Sequence, residues 1–130
     1  MTLTRTQVQD WLNAYVEAWR SYDPAQIGAL FSADAVVYYT PYTEPVRGRA
    51  AIVADWLENP DPPGTWKAHY WPDLIEGDRA AARGRSVYFV LGNLGEVRAE
   101  FDNVFLLTFN DIGEVTEFRE WYFSKPPASA

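Results

Sequence analysis

Between Glu58 and Gly64 the chain changes its hydrophobic period, and this change constrains the fold more than any other feature. Glu58-Asn59-Pro60-Asp61-Pro62-Pro63-Gly64 carries three prolines and a glycine, so it cannot continue a helix and reads as a loop. Before it, apolar residues recur at helical spacing. After it, they alternate in runs separated by turn residues. Helices first and an antiparallel sheet afterwards is an α+β plan. With 130 residues, 48% of them apolar, one core is expected, in a single domain over residues 1–124 with 125–130 as a disordered tail.

Thr4 followed three residues later by Gln7 is a capping-box signal. Val8, Trp11, Leu12, Tyr15, Trp19 and Tyr22 then form one apolar stripe. Asp23-Pro24 reads as the cap and first residue of a second helix that buries Ile27, Leu30 and Phe31. Val36 to Tyr39 is a short strand, and Arg47-Gly48-Arg49 leads into a third helix with Ile52, Trp56 and Leu57 inward. Beyond Thr65, Trp66 to Ile75, Arg79 to Leu91, Glu96 to Phe109 and Glu114 to Phe123 are expected as four strands of a meander. Their joints are Glu76-Gly77-Asp78, Gly92-Asn93-Leu94-Gly95 and Asn110-Asp111-Ile112-Gly113.

The net charge of -7 argues against a nucleic-acid partner, because phosphate binding needs clustered Lys and Arg. No apolar run is long enough to span a membrane, and Met1 to Asp10 lacks a secretory core, so a cytoplasmic location is expected. The absence of cysteine excludes disulfides and thiolate chemistry, and the lone His69 excludes a multi-histidine metal site. No phosphate or dinucleotide fingerprint is present, so no cofactor is expected. Six Trp, eight Tyr and seven Phe suit a partly wet pocket or an interface as well as a core.

The order of elements around Ala29-Leu30-Phe31-Ser32-Ala33-Asp34-Ala35-Val36-Val37-Tyr38-Tyr39 and Glu44-Pro45-Val46-Arg47-Gly48-Arg49-Ala50-Ala51-Ile52 resembles the opening of the NTF2-like superfamily. That superfamily includes SnoaL-like polyketide cyclases, ketosteroid isomerase, scytalone dehydratase and limonene epoxide hydrolase. The resemblance implies a cone in which three N-terminal helices pack into a strongly curved mixed or antiparallel sheet. It also implies a cavity lined by the concave face.

On the last strand Phe118, Glu120 and Tyr122 share one face, and Glu117, Arg119 and Trp121 the other. Glu120 between two aromatics is the leading catalytic candidate, because a carboxyl taken out of water holds its proton to higher pH. It can also be a Glu paired with an Arg inside the cone, or an exposed edge-strand Glu. Arg85 is its candidate partner if it faces the cavity; otherwise Arg83 and Arg85 both lie outside in solvent. Asn103 shares parity with Phe101 and Phe105, as a substrate contact or a satisfied core amide. His69 is a candidate general base or an outward histidine, since Trp66, Ala68 and Tyr70 form the apolar side of its strand.

In an ungapped reading Tyr15 falls where ketosteroid isomerase carries its oxyanion-hole tyrosine. Tyr39 and Phe105 fall where that enzyme carries two aspartates, so its isomerisation chemistry is not expected. Phe118-Arg119-Glu120 is similar to the Trp-Arg-Asp segment of the epoxide-hydrolase branch, whose second carboxylate position falls near Arg85 and Ser86. Arg98-Ala99-Glu100 follows a hairpin turn and reads as a surface pair.

The expected function is cofactor-independent acid-base chemistry, of isomerase, lyase, cyclase or hydrolase type, on a hydrophobic cyclic carbonyl or epoxide. Glu120, Tyr15, Arg85 and His69 are its catalytic candidates. Tyr39, Asn103, Phe105, Phe118, Tyr122 and Trp56 are its substrate-binding candidates. The alternative is a non-catalytic ligand-binding or dimerisation module. Arg119, Trp121 and Phe123 on the convex face point to a homodimer.

Overall fold

The computed structural model describes residues 2–127. Helix α1 spans Arg5–Ser21, and its capping box is complete: Thr4 Oγ1 accepts from the Gln7 N–H at 3.1 Å, and Gln7 Oε1 from the Thr4 N–H at 2.9 Å. Val8, Trp11, Leu12, Tyr15 and Ala18 form its buried face. Each large apolar side chain there contributes about 1.5–3 kcal/mol on leaving water. Helix α2, Pro24–Ala29, is capped by Asp23, whose side chain accepts from the Ala25 N–H at 2.9 Å.

Strand β1 covers Phe31–Tyr38 and so begins well before Val36. A register shift between Phe31 and Val36 interrupts its pairing, which is why its first half carries no clean alternation. The two-residue strand β2, Val46–Arg47, precedes helix α3, Arg49–Glu58; Gly48 between them sits at φ 88°, in the left-handed region that favours glycine. Within α3 Ile52 is buried, while Leu57, expected inward, is exposed.

Strands β3 (Trp66–Glu76), β4 (Arg79–Val90), β5 (Asn93–Phe109) and β6 (Val115–Ser124) form the antiparallel meander. The sheet order is β2-β1-β6-β5-β4-β3, and β1 runs parallel to β6, so the sheet is mixed. The expected four-residue joint after β4 contracts to a tight turn at Leu91 and Gly92. At the chain end Lys125 is held rather than frayed: its N–H reaches Glu100 O at 2.9 Å, and its Nζ lies 3.6 Å from the Glu100 carboxylate. Residues 128–130 of the expected tail lie outside the described residues.

Helix α1 lies against the sheet's inner face and is fastened to β3. Gln9 Nε2 donates to Tyr70 O at 3.0 Å, and the Trp19 ring stacks on Trp66 with centroids 3.6 Å apart. Gly84 on β4 permits the close approach of β3, because a Cβ there would stand 2.2 Å from His69 O and 2.3 Å from the Tyr70 ring. Tyr15, Phe105, Phe118, Phe31 and Trp11 then close into one aromatic core beneath the sheet.

Candidate active site

Three neighbouring strands each place one polar side chain on the inner face. Registers Gly84↔Asn103 and Asn103↔Tyr122 make Ser86, Asn103 and Glu120 diagonal neighbours across β4, β5 and β6. Ser86 Oγ donates to Asn103 Oδ1 at 3.0 Å, and Asn103 Nδ2 donates to Glu120 Oε2 at 2.9 Å. Ser86 and Asn103 are buried, at 2% and 4% exposure, so the amide has no solvent alternative to these two partners.

Glu120 stands at the end of this relay and lines a cavity of about 400 Å³ with Tyr39, Ser86, Tyr88, Arg98, Asn103 and Tyr122. The volume falls in the ordinary range for small-molecule sites. Burial pushes the Glu120 carboxyl up to about 7, and the Asn103 hydrogen bond opposes that rise without cancelling it. Burial also raises the phenols of Tyr15, Tyr39, Tyr70 and Tyr88, and the nearby Glu120 charge adds to each. The site therefore combines a carboxyl that exchanges its proton near neutrality with phenols that keep theirs. That combination suits general acid-base work.

The structure separates the sequence candidates. Asn103, Tyr39 and Tyr122 line the cavity with Glu120. Tyr15 lies beneath it, with its ring stacked on Phe118 at 5.7 Å. Phe105 and Phe118, expected to touch substrate, are buried at 1% and 0% and belong to the aromatic core, since Tyr15 and Tyr70 close over them. Trp56 donates from Nε1 to Tyr39 Oη at 2.7 Å, and so positions that ring from α3 rather than lining the cavity.

Arg85 and His69 are not part of this site. Ser86 and Gly84 take the buried positions of β4, so alternation sends Arg85 outward, and register pairs it with His69 on the exposed face of β3. Both border a larger depression of about 850 Å³ that crosses the β3 edge with Lys67 and Arg20. Those charged side chains are exposed and solvated, so this depression lacks a buried reactive group. No three His, Asp or Glu side chains among the described residues are grouped to hold a metal ion. No helix among them is long and apolar enough to cross a membrane.

Sequence reasoning missed Ser86, Tyr88 and Arg98. Ser86 and Tyr88 were legible as the alternate parity to Arg85. Arg98 was not, because its direction depends on a sheet irregularity.

A crystal structure from Kribbella flavida DSM 17836, described as a "putative ketosteroid isomerase", superposes with a TM-score of 0.68 at 19% identity, over 95% of this chain and 85% of that one. An "NTF-2 like protein of unknown function" from Burkholderia xenovorans LB400 gives 0.67 at 18% identity, over 94% and 89%. At these identities the likeness is one of fold. No curated protein matches the chain. The SnoaL-like domain model matches residues 12–118, from Leu12 within α1 to Phe118 on β6, and the chain belongs to that family.

Proposed function

We propose that this protein moves a proton on a small hydrophobic cyclic molecule, a carbonyl compound or an epoxide, without a cofactor. The observation that carries the reading is the Ser86–Asn103–Glu120 relay opening into the cavity. With a ketone, the ionised Glu120 carboxylate takes a proton from the carbon next to the carbonyl. The electron pair moves onto the carbonyl oxygen, and the neutral Tyr88 phenol on the cavity wall donates a hydrogen bond to it. Glu120 then returns the proton to carbon. With an epoxide, Glu120 takes a proton from water as the water oxygen attacks a ring carbon and the C–O bond breaks. The alkoxide released from the ring takes that proton back from Glu120, which leaves a diol and restores the carboxylate.

Two probes test the reading without the natural substrate: exchange of the α-hydrogens of 2-tetralone in D₂O, followed by NMR, and opening of cyclohexene oxide. Wild type accelerates at least one over buffer, and Glu120→Gln lowers that acceleration by about 100-fold or more. Equal rates for wild type and E120Q, or no acceleration of either probe, overturn it.

We also propose that two copies pair through the outer sheet face. Phe123 is 65% exposed there, beside Trp121, and Val104 and Leu106 lie on the neighbouring strand. The same face carries Arg83 and Arg85 on β4 and Asp102 and Glu117 on β5 and β6, so a two-fold pairing can set cations against acids. Sedimentation should show a mass that rises to the dimer with concentration in wild type and stays monomeric in Phe123→Glu. A monomeric wild type at all concentrations overturns this.

A further inference from the structure

We infer that the molecule handled in the Glu120 cavity carries an oxyanion group, a carboxylate being the simplest, and that Arg98 binds this group at the cavity mouth. The inference rests on the pocket reading above and adds a charge requirement to it.

Regular alternation back from Phe101 and Asn103 would send Arg98 to the outer face, together with Glu100 and Asp102. It does not go there. Tyr88 pairs with Ala99 and Phe89 with Val97, so one step along β4 matches two along β5, and Arg98 is the extra residue of a bulge. Bulges of this kind re-aim a side chain, and this one brings Arg98 into the cavity lining. Its guanidinium lies 5.2 Å from the centroid of the Tyr88 ring, which fixes the direction of the long stem.

Arg98 has no carboxylate within 4 Å among the described residues, although the chain has 18 acidic residues against 11 Lys and Arg. Glu100, two positions along, instead pairs with Lys125 at 3.6 Å on the other face. The carboxyl that shares the cavity, Glu120, retains much of its proton near neutrality because it is buried. The cavity thus presents a planar five-donor cation at its mouth, with little fixed negative charge opposing an incoming anion. That geometry fits the two oxygens of a carboxylate, with an apolar ring placed inward against Phe101 and Tyr122.

2-Naphthoate and 2-naphthamide have the same ring and nearly the same shape but differ in charge, so their dissociation constants by titration calorimetry at pH 6.0, where Glu120 holds its proton and naphthoate is ionised, isolate the anion. Wild type should prefer naphthoate by about five- to tenfold, the scale of a charge-assisted contact at a partly open site. Arg98→Met should abolish the preference and leave naphthamide affinity within about twofold. Arg98→Lys should retain part of the preference, and Arg85→Met all of it. Equal affinities in wild type overturn the inference and leave the pocket reading standing. Loss of the preference in R85M places the anion on the outer depression and overturns it, and so does equal weakening of both ligands in R98M. Binding of neither ligand at millimolar concentration overturns this inference and the pocket reading together.

Discussion

Replacing Glu120 by Gln keeps an oxygen to accept the Asn103 hydrogen bond but removes the titration, which makes it a test of what burial does to this carboxyl. The groups facing it are the phenols of Tyr15, Tyr39, Tyr70 and Tyr88, all held neutral, with Arg98 the cation lining the cavity. In the folded protein Glu120 titrates near 7, against its ordinary 4.5. Between those values the unfolded chain has released the proton and the folded chain still holds it. Folding therefore takes up a proton, and Glu120's contribution to stability declines as pH rises through that window, with no further change above about pH 8. A rise of this size corresponds to about 3 kcal/mol. Urea denaturation of wild type and E120Q across pH 4.5 to 8.5 gives the difference at each pH, and groups common to both proteins cancel. The two should be within about 1 kcal/mol near pH 4.5, with E120Q the more stable by about 2–3 kcal/mol at pH 8.5. A difference that stays constant with pH, or that favours wild type as pH rises, would refute the desolvated carboxyl, bonded to Asn103 and without a cation partner, on which the site depends.

Asn103→Leu removes both partners of the relay and leaves the buried Ser86 hydroxyl without its acceptor; it should cost about 2–4 kcal/mol in urea denaturation. The same variant should push the Glu120 titration further up, since the lost hydrogen bond opposes its rise, and ¹³C-carboxyl NMR reads that shift. Gly84→Ala drives a Cβ into the His69 carbonyl and the Tyr70 ring, so it should cost about 3 kcal/mol or more and disturb the near-ultraviolet circular dichroism of the aromatic core. Unchanged stability in G84A would contradict the close approach of β3 and β4.

Local chemistry decided much of this protein before any tertiary contact. Thr4 with Gln7, Asp23 with Pro24, and the proline-rich break after Glu58 each satisfy or block backbone hydrogen bonds within a few residues, so their meaning can be read along the chain. The four long strands were legible for the same reason. So was the placement of Glu120 with Phe118 and Tyr122 on one face, because strand alternation is a local geometric rule.

Which face turned inward was not local. Arg85 and Ser86 are adjacent, and only the register of β4 against β5, with Gly84 forced against β3, sends the serine in and the arginine out. Arg98 makes the same point, since a one-residue bulge reversed the direction that alternation assigned to it. Phe105 and Phe118 lie in the aromatic core rather than on the cavity wall because Tyr15 and Tyr70, from α1 and β3, pack against them. The sequence by itself determined the elements, their order and the candidate carboxyl. Only the tertiary structure decided that this carboxyl is desolvated and bonded to Asn103, because acidity and cavity are set by what distant segments exclude from water.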